Sequence, residues 1–175
     1  MSTKIIGHLV LIILIALLDI AFMSRLPLGL NQVHLFPIIL VFIFLLGNIR
    51  YSAWWVLGGS YMLELFSFGV YGLHFLGLIL ALGAIYILFE RVMTNRSLYS
   101  IAAVSGISVL LYNSSLFLEL YFNNQQRDIS WPKFFTEQGV IILYSIVIAI
   151  ILFYLINAAT KRLRPVFLAQ RGYKI

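Results

Sequence analysis

Long runs of uncharged, apolar residues, separated by short polar stretches, most constrain what this chain can fold into. Of the 175 residues, 62% are hydrophobic and 10% are charged, whereas soluble domains contain roughly 45–50% apolar and about 25% charged residues. The runs are long enough to cross a hydrocarbon core of about 30 Å as helices. The sequence therefore predicts an all-α integral membrane protein.

Six such runs can be delimited, and we expect them to form a single domain that is a compact bundle of six transmembrane helices. Pro27 and Gly29 follow the first run, and Asn48 and Arg50 close the second, because proline and glycine interrupt helices and charged residues leave the membrane. The predicted spans are residues 5–23, 33–48, 51–66, 73–89, 97–118 and 138–160, followed by a basic tail at 161–175.

The basic residues are unevenly divided between the two ends of the predicted spans. Nine Lys and Arg residues fall on the side of the termini and three on the opposite side. Since Lys and Arg are enriched in cytoplasmic loops, both termini are expected in the cytoplasm. The tail, with Lys161, Arg162 and Arg164, either fixes this topology or binds anionic lipid or a cytoplasmic partner. The net charge of +6 is thus explained by basic residues that set the membrane topology, and we expect no nucleic acid partner.

Glu64 is the most unusual residue, because it is an ionisable group in an apolar run. A charged side chain at the centre of a membrane helix costs roughly 2.5–3.5 kcal/mol. On the predicted topology Glu64 lies in the outer half of its span, level with Asp19, Arg25 and His74. We expect these four residues to form a structural or partner-binding polar cluster. Two alternatives stay open: Glu64 could reach the headgroups, and Asp19 could simply pair with Arg25.

The sequence contains little that indicates catalysis or metal binding. No cysteine occurs, which excludes thiolate chemistry, and no serine lies in a nucleophile-elbow pattern. His34 and His74 lack the spacing of metal ligands. We therefore expect a non-enzymatic protein with no metal and no cofactor.

The stretch Gly58 to His74 reads Gly-Gly-Ser-Tyr-Met-Leu-Glu-Leu-Phe-Ser-Phe-Gly-Val-Tyr-Gly-Leu-His. It resembles the signature of the bacterial rod shape-determining MreD family, in which a glycine-containing helix, Leu-acidic-Leu, a glycine-bearing turn and Gly-Leu-His follow one another. Gly69 and Gly72 form the signature turn. The chain also agrees in length, in the number of spans and in its basic C-terminal segment.

The chain departs from the family pattern at two places, which suggests a divergent member. Family members often carry Asp where this chain has Glu64. They also tend to begin the second span with an Arg-Pro-Asp-like element, of which only Pro37 is present here.

The resemblance implies a non-enzymatic scaffold of the elongasome, in the bacterial cytoplasmic (inner) membrane, that supports cell shape and lateral peptidoglycan synthesis. The implied partners are MreC, and beyond it MreB, RodA and a penicillin-binding transpeptidase. The family fold is similar to that of the S components of energy-coupling-factor transporters. A vitamin-binding S component is therefore a second interpretation. A channel or proton-coupled transporter is a third, although the inner halves of the spans hold few polar groups.

Overall fold

Helices make up nearly all of the chain that the structure describes. In the computed structural model the described residues are 2–22, 25, 32–67, 70–93, 97–122 and 131–171, and within them there are six α-helices and no strand. The helices are α1 (Ser2–Leu17), α2 (Leu35–Leu46), α3 (Ile49–Phe66), α4 (Leu73–Ile87), α5 (Leu98–Phe122) and α6 (Trp131–Arg171), and π-helical turns extend α1 over Leu18–Phe22 and α4 over Leu88–Val92. The all-α prediction is confirmed.

Three helical segments are long and apolar enough to cross a membrane, which is consistent with a membrane protein. They are Leu73–Val92, Leu98–Leu118 and Phe134–Ala158, whereas Ile6–Ala21 and Leu35–Leu46 are apolar but shorter. The 12 residues of α2 extend roughly 18 Å, which is less than the hydrocarbon thickness of about 30 Å. An arrangement of six complete spans therefore stays a prediction.

The last helix extends beyond both predicted limits. The sixth span was expected at 138–160, but α6 begins at Trp131 and ends at Arg171. Pro132 is tolerated near its start because the first N–H groups of a helix have no intrahelical acceptor. The backbone of Lys161, Arg162 and Arg164 is helical, while their side chains lie outside the described part of the chain.

The short helix α2 is the centre of the molecule. It packs against each of the other five α-helices, and seven of its 12 residues are buried, including Phe36, Ile38, Leu40 and Val41. Helices around it carry exposed large apolar side chains, for example on α4 and α6, as expected where a helix bundle meets lipid. The fold thus surrounds α2 with the longer helices.

A close approach between α2 and α3 depends on Gly59. The ring of Phe36 occupies the place that a side chain at Gly59 would take, so that an added Cβ would overlap three ring carbons. Both residues are buried. Only glycine leaves room for this aromatic ring against the α3 backbone.

We expect Gly59→Ala to destabilise the protein, because overpacking of a filled core costs about 1–3 kcal/mol. The matched control is Gly83→Ala in α4, where an added Cβ has no atom within 4 Å. Thermal unfolding of the purified proteins in detergent should show a midpoint roughly 2–12 °C lower for Gly59→Ala, and no decrease for Gly83→Ala. Equal midpoints for the two variants would contradict the packing described.

Candidate functional site

Polar side chains gather at the end of the bundle where α1 and α3 end and where α2 and α4 begin. Helix ends concentrate unpaired backbone groups there. The central residue of the gathering is Tyr112 of α5, which is fully buried. We call the following six residues the polar cluster: Asp19, His34, Glu64, Ser67, His74 and Tyr112.

The carboxylate of Glu64 caps the N-terminus of α4. Its Oε1 accepts hydrogen bonds from the backbone N–H of Gly72, at 3.0 Å, and from that of Phe75, at 3.1 Å. These donors belong to the N-cap residue and to the third residue of α4, and neither has an acceptor within the helix. Glu64 is only 9% exposed, so its carboxylate holds the end of α3 against the start of α4.

The N-cap residue of α4 has no side chain that could make this bond. Gly72 has a positive φ of 94°, a left-handed conformation that other residues adopt at a cost. No side-chain cap is found at this position. Glu64 therefore provides, from the preceding helix, the acceptor that Ser or Asp usually provides at an N-cap.

Asp19 repeats this arrangement between α1 and α2. It lies in the π-helical turn after α1, and its Oδ1 accepts a hydrogen bond of 3.0 Å from the backbone N–H of Leu35. The N-cap residue of α2, His34, makes no side-chain cap of its own. Asp19 is 5% exposed, and its carboxylate points into the protein.

A chain of hydrogen bonds links α3, α4 and α5 through His74. Its Nδ1 lies 2.6 Å from the hydroxyl of Tyr112, and its Nε2 lies 3.0 Å from the hydroxyl of Ser67. Ser67 is the residue directly after α3, and His74 is in the first turn of α4. Both ring nitrogens are thus used.

His34 joins the two halves of the polar cluster. Its Nδ1 is 3.9 Å from Asp19 Oδ1, and its ring makes an edge-to-face contact with Tyr112, with ring centres 4.9 Å apart. The polar cluster therefore runs without interruption from Asp19 to Ser67. His34 keeps 30% of its side chain exposed, so the polar cluster is partly accessible at this residue.

The structure brings together three of the four residues that were expected to meet. Asp19, Glu64 and His74 are in the polar cluster, whereas Arg25 lies at an exposed position and lines a groove on α1. No ion pair joins Arg25 to Asp19, although both are among the described residues; this disfavours the interpretation of Asp19 as merely the partner of Arg25. Gly69 of the expected signature turn lies outside the described residues.

Sequence reasoning missed Ser67 and Tyr112 as members of the polar cluster. Tyrosine and serine are frequent in membrane helices and loops, so that their presence alone signals nothing. Ser67 does lie inside the stretch that carries the family resemblance, which was an available signal. For Tyr112 the signal was weaker, since only its position within an uncharged run suggests that its hydroxyl needs a partner.

The arrangement can position helices, and it leaves one buried acceptor unused. Within the described residues no three His, Asp or Glu side chains are close enough to hold a metal ion. Asp19 Oδ2 is buried without a hydrogen-bond partner in the described part of the chain. Buried polar atoms are seldom unpaired, so this oxygen is an open acceptor within the polar cluster.

We expect Glu64→Leu to lower stability, because it leaves the N–H groups of Gly72 and Phe75 unpaired, at a cost of about 1–3 kcal/mol. Glu64→Gln keeps a carbonyl acceptor and should cost less. In detergent, the thermal midpoint should fall by roughly 2–12 °C for Glu64→Leu and by a smaller amount for Glu64→Gln.

Glu90→Leu is the matched control, since Glu90 is an exposed carboxylate near the other end of α4. It should leave the midpoint within about 1–2 °C of the wild type. The capping role of Glu64 is wrong if Glu64→Leu and Glu90→Leu have the same midpoint.

Comparisons of the chain with known proteins found no matching family model, no matching curated protein and no matching solved structure.

Proposed function

We propose that this protein is a non-enzymatic membrane scaffold of the bacterial elongasome, similar to MreD, that supports cell shape and lateral peptidoglycan synthesis through MreC. The support begins with the sequence between Gly58 and His74. One observation carries the proposal: the acidic residue at the centre of this stretch, Glu64, binds the backbone of Gly72 and Phe75 across the turn. Two residues of the stretch, Glu64 and Gly72, are thus joined by a hydrogen bond.

The geometry favours a positioning role for this stretch over a catalytic one. Glu64 Oε1 accepts hydrogen bonds from two backbone N–H groups, and both ring nitrogens of His74 form hydrogen bonds with side-chain hydroxyls. These hydrogen bonds join groups of the protein to one another. Side chains held in this way instead fix the ends of α3 and α4, and so define the shape of one end of the bundle.

The proposed setting is the cytoplasmic membrane, with six spans and both termini on the cytoplasmic side. The end of the bundle that holds the polar cluster would then face outward, where MreC would contact it. The basic tail with Lys161, Arg162 and Arg164 would lie inside, where MreB and the cytoplasmic parts of RodA and of the transpeptidase are accessible. The unequal division of Lys and Arg is the observation behind this orientation.

The proposal predicts that Glu64→Leu weakens co-purification of the MreC protein encoded by the same genome, because the outer helix ends lose their fixed geometry. A loss of about 1 kcal/mol in binding would reduce the affinity roughly five-fold. Tagged variants would be co-expressed with MreC, extracted in mild detergent and compared at equal amounts of monodisperse protein. Glu64→Gln should retain most of the MreC.

Two controls make this experiment specific. Gly59→Ala lowers stability at another point of α3 and should retain MreC, which separates a changed outer end from general destabilisation. Glu90→Leu removes an exposed carboxylate from α4 and should also retain it. If the wild-type chain retains no MreC, the scaffold proposal fails; if Glu64→Leu retains as much as Gly59→Ala, the role of the polar cluster in binding fails.

A second candidate function is a vitamin-binding S component, which the unused acceptor in the polar cluster favours. Asp19 Oδ2 is buried without a partner in the described residues, and the neighbouring His34 is partly exposed. Binding pockets commonly hold such convergent polar groups within apolar walls.

Native mass spectrometry after mild extraction distinguishes the two functions. A scaffold should release no small molecule and should retain MreC, whereas an S component should carry a bound vitamin at a stoichiometry near one. For an S component, Asp19→Asn should reduce the bound fraction, since the carboxylate oxygen that faces the ligand is replaced. For a scaffold, Asp19→Asn should leave the mass of the extracted protein unchanged except for the substitution.

A further inference from the structure

An open groove of about 490 Å³ lies on the surface of α1 near the end that holds the polar cluster. Among the described residues it is lined by four apolar side chains and one cation: Leu14, Leu17, Leu18, Ala21 and Arg25. The apolar residues recur at intervals of three and four, so they share one face of the helix. All four are exposed at the protein surface, which makes the groove accessible from outside the bundle.

Arg25 is placed to neutralise a negative charge that the described part of the protein does not provide. It is exposed, and among the described residues it makes no ion pair with a carboxylate. The acidic residue nearest to it in the sequence, Asp19, points inward and binds the backbone of Leu35. Asp19 belongs to the π-helical turn over Leu18–Phe22, and such turns are frequent at functional sites.

The chemistry of the groove matches an amphiphile with an anionic head. A guanidinium group binds phosphate through parallel N–H donors and is more weakly hydrated than an ammonium group. Arg25 and the apolar residues from Ala21 back to Leu14 line the same groove, so that one molecule can contact both. A free anion would use only the guanidinium group, and an uncharged lipid would use only the apolar face.

We propose that this groove binds an anionic phospholipid, with its phosphate on Arg25 and an acyl chain along Leu14, Leu17, Leu18 and Ala21. This site is separate from the basic tail on α6. It does not depend on the scaffold function, because it uses none of the residues of the polar cluster. The bound lipid would cover the surface of α1 next to the polar cluster.

The test measures lipid binding to the full chain in a non-ionic detergent by native mass spectrometry, with phosphatidylglycerol and phosphatidylcholine of identical acyl chains. The wild type should bind phosphatidylglycerol roughly ten-fold more tightly, because only this lipid has a net negative head. Arg25→Gln should remove most of that preference, and Arg25→Lys should retain part of it. Ala21→Trp, which fills the groove, should weaken binding of both lipids.

Arg50→Gln is the matched control, since Arg50 is also exposed but lies at the start of α3, away from the groove. It should bind phosphatidylglycerol as the wild type does. The proposal is overturned if Arg25→Gln keeps the wild-type preference, or if Arg50→Gln loses as much of it. It is also overturned if inorganic phosphate alone competes fully with the lipid, because the apolar groove would then contribute nothing.

Discussion

One end of the helix bundle depends on which acceptors bind the first backbone N–H groups of α2 and α4. In an apolar environment each unpaired backbone group is costly, and the N-cap residues of these helices, His34 and Gly72, make no side-chain cap. Asp19 and Glu64 meet this requirement from the ends of the preceding helices. The carboxylates in turn benefit from the positive end of the helix dipole, so two unfavourable groups stabilise each other.

This pairing also sets the topology at one end of the bundle. Each carboxylate belongs to one helix and binds the start of the next, so it joins α1 to α2 and α3 to α4 independently of the connecting residues. The helix α2 packs against all the other α-helices. An acceptor that holds the first turn of α2 in place therefore also helps to position the helices packed around it. Glycine at position 59 then lets α3 approach closely enough for Phe36 to fill the space between them.

The helices were largely predictable from the sequence, and the contacts of the candidate site were not. Apolar runs located six helices, because lipid and a helical core demand the same composition. The exception is the start of α6, where residues 131–137 lie outside the predicted span at 138–160 and yet are helical. Glu64 was recognised as costly, yet its acceptor role depends on a helix start eight residues later in the chain. The topology predicts Arg25 at the same level as Asp19, but Asp19 is buried whereas Arg25 is exposed, and no ion pair joins them among the described residues.

The hydrogen bonds of His74 connect the members of the polar cluster that lie on α4, on α5 and just after α3. In a neutral imidazole one nitrogen donates and the other accepts, and His74 uses both, with Tyr112 on one side and Ser67 on the other. A protonated ring would need two acceptors, which both hydroxyls can supply only by turning their own protons elsewhere. Tyr112 is fully buried, and its ring contacts the rings of both His34 and His74. A neutral ring pairs with both hydroxyls at once, since it accepts from one and donates to the other, and so joins α4 to Tyr112 of α5 and to the residue that follows α3.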